Sequence, residues 1–332
     1  MYHLLIIFLL SASCAMAKYP LSDHYDGETF SNLTPTDHKS IFTVLKWKLT
    51  TDAKAWPEKI ENKDYELSEL GPNDPFIITW VNHASFLIRF HGLTILTDPI
   101  YAERASPLSF AGPKRVREPG IVWEKMPKVD VVLISHNHYD HLDLETIKRL
   151  NEKFSPVFVV PLGDKDLLES IGVKNIEEKD WWEEIRFEDK KITFLPSQHW
   201  SARGLFDKSK SLWGSYMIDN GQQRIYFAGD TGYGKHFKLI KEKYGSPDIA
   251  LLPIGAYEPR WFMKDHHMNP EDAVLAHRDL GAKKSVGMHF GTFQLTDEWI
   301  DAPVKDLELA RQKYELKPND FVVLDVGESL WP

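Results

Sequence analysis

Cysteine is all but missing from this chain: Cys14 is the only one in 332 residues. No internal disulfide can form, so stability cannot rest on covalent staples. An excess of basic charge is missing too. With 40 Lys and Arg against 49 Asp and Glu, the net charge is −9, and a nucleic-acid-binding face would need a basic stripe. Nucleic acid is therefore not an expected partner, although local basic groups stay available. No low-complexity tract and no short-period repeat interrupts the chain. The length allows one large domain or two small ones, and eleven tryptophans help supply a buried core.

Long apolar runs are scarce. Leu4–Leu10 is the apolar centre of a start that carries no Asp, Glu, Lys or Arg through Ala17. It is too short to span a bilayer comfortably. Ala15-Met16-Ala17 has the small-x-small form of a cleavage site, so residues 1–17 read as a secretory signal peptide, one without the usual positive n-region. An exported protein, periplasmic or secreted, follows. The alternatives are an uncleaved apolar tail or anchor, or lipidation at Cys14. Ser11 stands where a lipoprotein signal usually has Leu.

Residues 18–73 form an extension expected to pack on the core, ahead of the main domain at 74–332. Tyr19–Thr36 is polar and turn-rich, and Ala53–Pro72 is charged and loop-like. Between them Ser40–Thr50 predicts an amphipathic helix, with Ile41, Val44, Leu45 and Leu49 as its apolar stripe. Packing of that stripe onto the domain, as core or lid, is the expectation; a membrane-surface helix is the alternative.

What is present in quantity is metal-ligating side chains. Ser135–Asp143 reads SHNHYDHLD and puts His136, His138, Asp140 and His141 within six residues. Imidazole and carboxylate suit zinc and iron. His136 and His138 can project to one side of an extended segment. Asp140 and His141 diverge from each other, which suits two neighbouring ions better than one. The run follows an apolar strand, Val131–Ile134, and precedes a helical stretch, Leu142–Phe154. His199, Asp230 and His289 follow at or just past the ends of later strands, where α/β sites are usually built.

Further strands are predicted at Phe76–Val81, Ser85–Phe90, Leu93–Leu96, Val157–Val160, Ile192–Leu195, Ser215–Ile218, Arg224–Phe227, Ile249–Leu252, Lys284–Met288 and Phe321–Val326. Helices are predicted at Lys165–Ile171, Lys235–Tyr244, Pro270–Leu280 and Val304–Lys313. Asn269-Pro270-Glu271-Asp272 is a strong helix start. Periodicity alone yields a mixed α/β domain.

The order HxHxDH, His, Asp, His resembles the metallo-β-lactamase superfamily. That resemblance implies an αββα sandwich, two mixed sheets flanked by helices. It also implies two divalent metal ions, zinc foremost. His136, His138 and His199 would hold one, Asp140, His141 and His289 the other, and Asp230 would bridge them. Metal-bound water loses a proton near pH 7, so a hydroxide bridging two cations would be a strong nucleophile.

Further motifs narrow the resemblance. Thr79–Ser85, Leu96-Thr97-Asp98-Pro99, Asp180-Trp181-Trp182-Glu183-Glu184, Gly255–Met263 and His289–Phe293 are similar to those of N-acylphosphatidylethanolamine-hydrolysing phospholipases D and their bacterial relatives. Asn82 departs from that pattern, where Gly is more usual. The resemblance implies hydrolysis of N-acylphosphatidylethanolamine, or a related phospholipid, to N-acylethanolamine and phosphatidic acid by metal-bridged hydroxide attack on phosphorus. Asp140, Asp230 and His267 are the expected catalytic residues, His267 as hydrogen-bond donor or general acid. Tyr139 and His267 are the expected substrate contacts; for Tyr139, packing beside the loop is the equal alternative.

Asp98 either orients a ligand histidine or is a turn residue. His83 is expected to be buried and structural. Arg260, Trp261, Phe262 and Met263 either contact lipid or pack at the rim, and Trp181 and Trp182 belong to the core. A phospholipid at a membrane surface is the expected partner, and a homodimer stays open. The rival readings are a lactonase or other ester hydrolase on the same site, and a non-catalytic metal- or lipid-binding module.

Overall fold

The computed structural model describes residues 17–36, 39–71 and 74–332. The expected signal peptide, up to residue 16, and Cys14 lie outside the described residues. Among the described residues no helix is long and apolar enough to cross a membrane.

A short helix, α1 (Ile41–Thr50), precedes the first sheet. Then come strands β1 (Phe76–Asn82), β2 (Ser85–Phe90), β3 (Leu93–Thr97) and β4 (Val131–Leu133), helix α2 (Leu144–Phe154), β5 (Val157–Pro161), α3 (Lys165–Glu169) and β6 (Ile176–Lys179). The second sheet starts with β7 (Glu184–Phe187), β8 (Lys190–Leu195), β9 (Ser215–Asp219) and β10 (Arg224–Phe227). It continues with α4 (His236–Tyr244), β11 (Ile249–Pro253), α5 (Arg260–Met263), α6 (Pro270–Leu280), β12 (Lys284–Met288), α7 (Ala302–Lys313) and β13 (Phe321–Val322). The last strand, β14 (Ser329–Leu330), returns to the first sheet beside β1.

The sheets run in the order β14-β1-β2-β3-β4-β5-β6 and β13-β12-β11-β10-β9-β8-β7. The run β3 to β6 and the run β10 to β13 are parallel, and the remaining pairs are antiparallel. Phe86, Ile88, Ile95 and Val131 of the first sheet share one core with Phe194, Tyr216, Ile225 and Val286 of the second. Ile147 and Leu150 of α2 pack on the opposite face of the first sheet, against Leu96, Val132 and Phe158. Phe237 and Ile240 of α4 and Leu280 of α6 cover the second sheet. The molecule is thus an αββα sandwich of two mixed sheets flanked by helices.

Local chemistry sets the element ends. His91 and Gly92, both at positive φ, make a two-residue turn between β2 and β3 whose twist suits a hairpin. Asn269 and Asp272 form a reciprocal capping box on α6, with Pro270 in the first turn and Gly281 left-handed at the end.

Three strands were not predicted: β6, β7 and β14. The first two, IEEK and EIRF, are charged edge strands, which suits an edge and hides the apolar alternation of a strand. Conversely, only Phe321 and Val322 of the predicted Phe321–Val326 strand pair with a neighbour. The apolar stripe of α1 also departs from expectation. Phe42, Leu45 and Leu49 are exposed. The helix packs through Trp47, whose Nε1 donates to the Asp297 carboxylate at 3.0 Å and whose ring lies 5.0 Å from that of Phe262.

Candidate metal centre

The loops at one end of the sandwich converge on a polar floor. His136–His141 follows β4, His199 lies beyond β8, Asp230 follows β10 and His289 follows β12. Close approach of these loops restricts their residues. Gly229 has φ +57, and a Cβ there would lie 2.5 Å from that of Ser135. His83, Asp98, Ala256 and His289 hold positive φ without being glycine, a strain that tends to concentrate at functional sites.

Three ring nitrogens meet on one side. His136 Nε2 and His199 Nε2 lie 2.9 and 3.2 Å from His138 Nδ1. On the other side His289 Nε2 lies 3.1 Å from His141 Nε2 and 3.3 Å from Asp140 Oδ2. Asp230 stands between the groups. Its Oδ2 is 3.2 Å from His141 Nε2 and 3.8 Å from His199 Nε2, and its Oδ1 is 3.1 Å from His289 Nε2. The seven residues proposed as ligands are therefore together.

The donor set fits divalent cations. Zinc takes imidazole and carboxylate donors at about 2.0–2.2 Å, which places neighbouring donor atoms at separations near those seen. Burial, with help from neighbouring imidazoles, pulls His136 and His199 well below the usual histidine range. Burial also brings His138 down to about 4. These three are neutral, as a ligand must be. For Asp140 and Asp230, burial works upward but is outweighed by His141 and His289, which hold both carboxyls well below the usual carboxylate range. His141 and His289 show the reciprocal effect. Burial lowers them, yet Asp230 and Asp140 prevail, raising His141 well above its usual value and His289 to about 9. A dication between those groups would take the place of the protons.

Surrounding residues aim the donors. His141 Nδ1 lies 2.7 Å from Asp98 Oδ2, so the orienting reading of Asp98 is the one the geometry favours. His199 Nδ1 donates to the His266 carbonyl at 2.9 Å. His136 Nδ1 is 2.9 Å from Ser135 Oγ. His83 is buried, as expected, but it also touches the centre: its Nε2 is 3.0 Å from Asp140 Oδ2.

A cleft of about 640 Å³ opens over the floor, lined by Val44, Trp47, Trp200, Phe262 and Met263 as well as His267. His267 Nδ1 is 3.8 Å from Asp230 Oδ2, and burial brings the ring down to about 4, so it is neutral. Tyr139 lines the cleft, but its hydroxyl donates to the Arg203 carbonyl at 2.9 Å. The Arg203 guanidinium lies 4.0 Å from the Tyr139 ring and donates to the carbonyls of Asn137 and Leu142 at 2.9 and 2.7 Å. Arg203 thus clamps the loop His136–His141 that carries four candidate ligands, a role with no sequence signal. Arg260 is bound inward, to Asp272 and the His267 carbonyl, while Trp261 is partly exposed beside it. Trp181 is buried, its Nε1 donating to the Trp213 carbonyl, and Trp182 packs against the core.

Comparison with known proteins agrees with this geometry. The family model described as "Beta-lactamase superfamily domain" matches residues 94–290. The chain belongs to the metallo-β-lactamase superfamily. Within the superfamily it is 38% identical over 296 residues to "N-acyl-phosphatidylethanolamine-hydrolyzing phospholipase D 1" of Caenorhabditis elegans, covering 85% of this chain and 83% of that protein. It is 38% identical over 246 residues to the mitochondrial protein of the same description in Saccharomyces cerevisiae, covering 72% of this chain but only 52% of that one. A metallo-hydrolase from Ignicoccus hospitalis shares the fold, with a TM-score of 0.57 and 22% identity over 77% of this chain and 97% of its own. This superfamily member is accordingly a hydrolase.

Proposed function

We propose that the protein is a binuclear metal-dependent phosphodiesterase of phospholipase D type. It would hydrolyse N-acylphosphatidylethanolamine or a related phospholipid to N-acylethanolamine and phosphatidic acid. One observation carries this reading: the donor set opens through His138, Asp140 and Asp230 onto a cleft walled by Trp47, Trp200, Phe262 and Met263. The names of the relatives in worm and yeast agree with it.

Two bound divalent cations, zinc by donor type, would supply an activated water at neutral pH and positive charge for the phosphoryl oxygens. The chain's own residues do the rest. Asp230 reaches both donor groups and sets their spacing. His267, neutral at the cleft wall, is placed to donate a hydrogen bond to the substrate. Trp47, Phe262 and Met263 offer apolar surface to acyl chains. Phe42, Leu45 and Leu49 of α1 are exposed, as are Leu205 of the cleft wall and Trp261; with Lys46 over the Trp261 ring and Lys48 on the same helix, this is a composition suited to a phospholipid surface.

The test uses purified protein with N-acylphosphatidylethanolamine vesicles, a soluble phosphodiester and a lactone, each with and without chelator. Release of N-acylethanolamine and phosphatidic acid, abolished by chelator and restored by zinc, is expected. Asp230→Asn should lose more than the ~10–100-fold typical of a change in an outer partner of a ligand. Cleavage of the lactone alone would overturn the proposal.

A further inference from the structure

His199 lies four residues beyond the end of β8, on irregular chain. Its backbone groups are met from far away in sequence. The His199 N–H donates to Asn32 Oδ1 at 3.0 Å, and Asn32 Nδ2 donates to the His199 carbonyl at 2.9 Å. One side-chain amide therefore serves both backbone groups of this residue, as an adjacent strand would. Trp213 Nε1 donates to the same Oδ1 at 2.9 Å and holds Asn32 in turn. With the ring tied to the His266 carbonyl at 2.9 Å, His199 is held from two sides.

The stretch that carries Asn32 has its own anchors. Phe30 is buried and its N–H donates to the Ser209 carbonyl at 2.8 Å. His24 stacks on Trp181 at 4.3 Å and lies 2.7 Å from Asp180. The Tyr19 hydroxyl donates to Glu178 at 3.0 Å. Tyr19, His24, Phe30 and Asn32 all precede the segment 94–290 that matches the family model, whereas their partners lie within it.

We infer that Asn32 is a positioning residue for one of the two ions, setting His199 Nε2 against His136 Nε2 and His138 Nδ1. The inference rests on the reading of those three histidines as ligands. It makes the stretch around Asn32 part of the metal centre. Its effect is one-sided, because the group formed by Asp140, His141 and His289 has no bond to Asn32.

Stepwise zinc affinities of the full-length protein, measured by titration against a competing chelator, test this. In Asn32→Ala, one of the two binding steps should weaken about 10–100-fold, the range for outer partners of a ligand, while the other step stays unchanged. The d–d spectrum of the cobalt-loaded variant should change at the same step. Far-UV circular dichroism and the melting temperature of the metal-free form report folding. If Asn32→Ala fails to fold, Asn32→Asp carries the same test: it has the same size, keeps the acceptor for the His199 N–H and loses the donor to the His199 carbonyl. Unchanged affinities in a folded variant, or equal weakening of both steps, would overturn the inference. His199→Ala separates the two levels, since retention of both ions there would overturn the ligand assignment itself.

Discussion

Asp98 shows how much of the centre depends on residues that touch no substrate. It is fully buried, faces His141 Nδ1 at 2.7 Å, and accepts from the Ser135 N–H and Oγ at 2.7 and 2.6 Å. It therefore aims one candidate ligand and ties down the start of the loop that carries four of the seven. Asp98→Ala should weaken the ion at His141 by about 10–100-fold. It should also destabilise the fold by about 1–3 kcal/mol, because buried donors lose their acceptor. Metal titration and chemical denaturation would read the two effects separately. The convergence of the seven candidate ligands was legible because clustered imidazoles and carboxylates are rarely explained by packing. Asn32, Arg203 and the His266 carbonyl were not legible, since they act on or through backbone groups and any polar side chain at those positions would look alike. His83 looked structural because a single histidine after a strand carries no sign that Asp140 will fold against it.

At the scale of elements, α1 is the informative case. Spacing predicted the helix, and Ser40 caps it by accepting from the Thr43 N–H. Spacing could not predict which face would pack. Trp47 wins because its ring contacts Phe262 and its N–H finds Asp297, which leaves Leu45 and Leu49 exposed. Leu45→Ser combined with Leu49→Ser should cost no more than about 1 kcal/mol of stability, the sum of two surface changes. Binding to phospholipid vesicles and turnover of vesicle-borne substrate should fall, while turnover of a soluble phosphodiester should not. An equal loss on both substrates in a kinetic comparison would assign the stripe a role inside the cleft instead. The edge strands β6 and β7 make the complementary point: their charge suits an edge and conceals them from a search for alternating apolar residues.

Across the whole molecule, the N-terminal stretch is held by a titratable latch. His24 is buried with its ring nitrogens 2.7 Å from Asp23 and from Asp180. Burial alone would lower its pKa, but the bonds to Asp180 and Asp23 outweigh it and the net shift is upward. A group raised in the folded state stabilises fully below its unfolded value, about 6.5. That stability is lost as pH rises through the folded value. The melting temperature of the wild type should therefore fall over that interval by more than that of His24→Gln, which cannot titrate. Parallel curves for the two proteins would remove His24 from the account. The latch also bears on the metal centre, because the stretch it holds carries Asn32.

The αββα class and the candidate donor set were readable from the chain because both are local. Each ligand sits at the end of an apolar run, and strand ends are visible in composition. The pairing of the sheets was not readable. β14 joins β1 across the whole length of the domain, and only the closed core makes that pairing favourable. The same holds for Asn32 and His199, 167 positions apart. Sequence carries the chemistry of each donor, whereas the distances that turn donors into a centre arise when distant loops are packed against one floor.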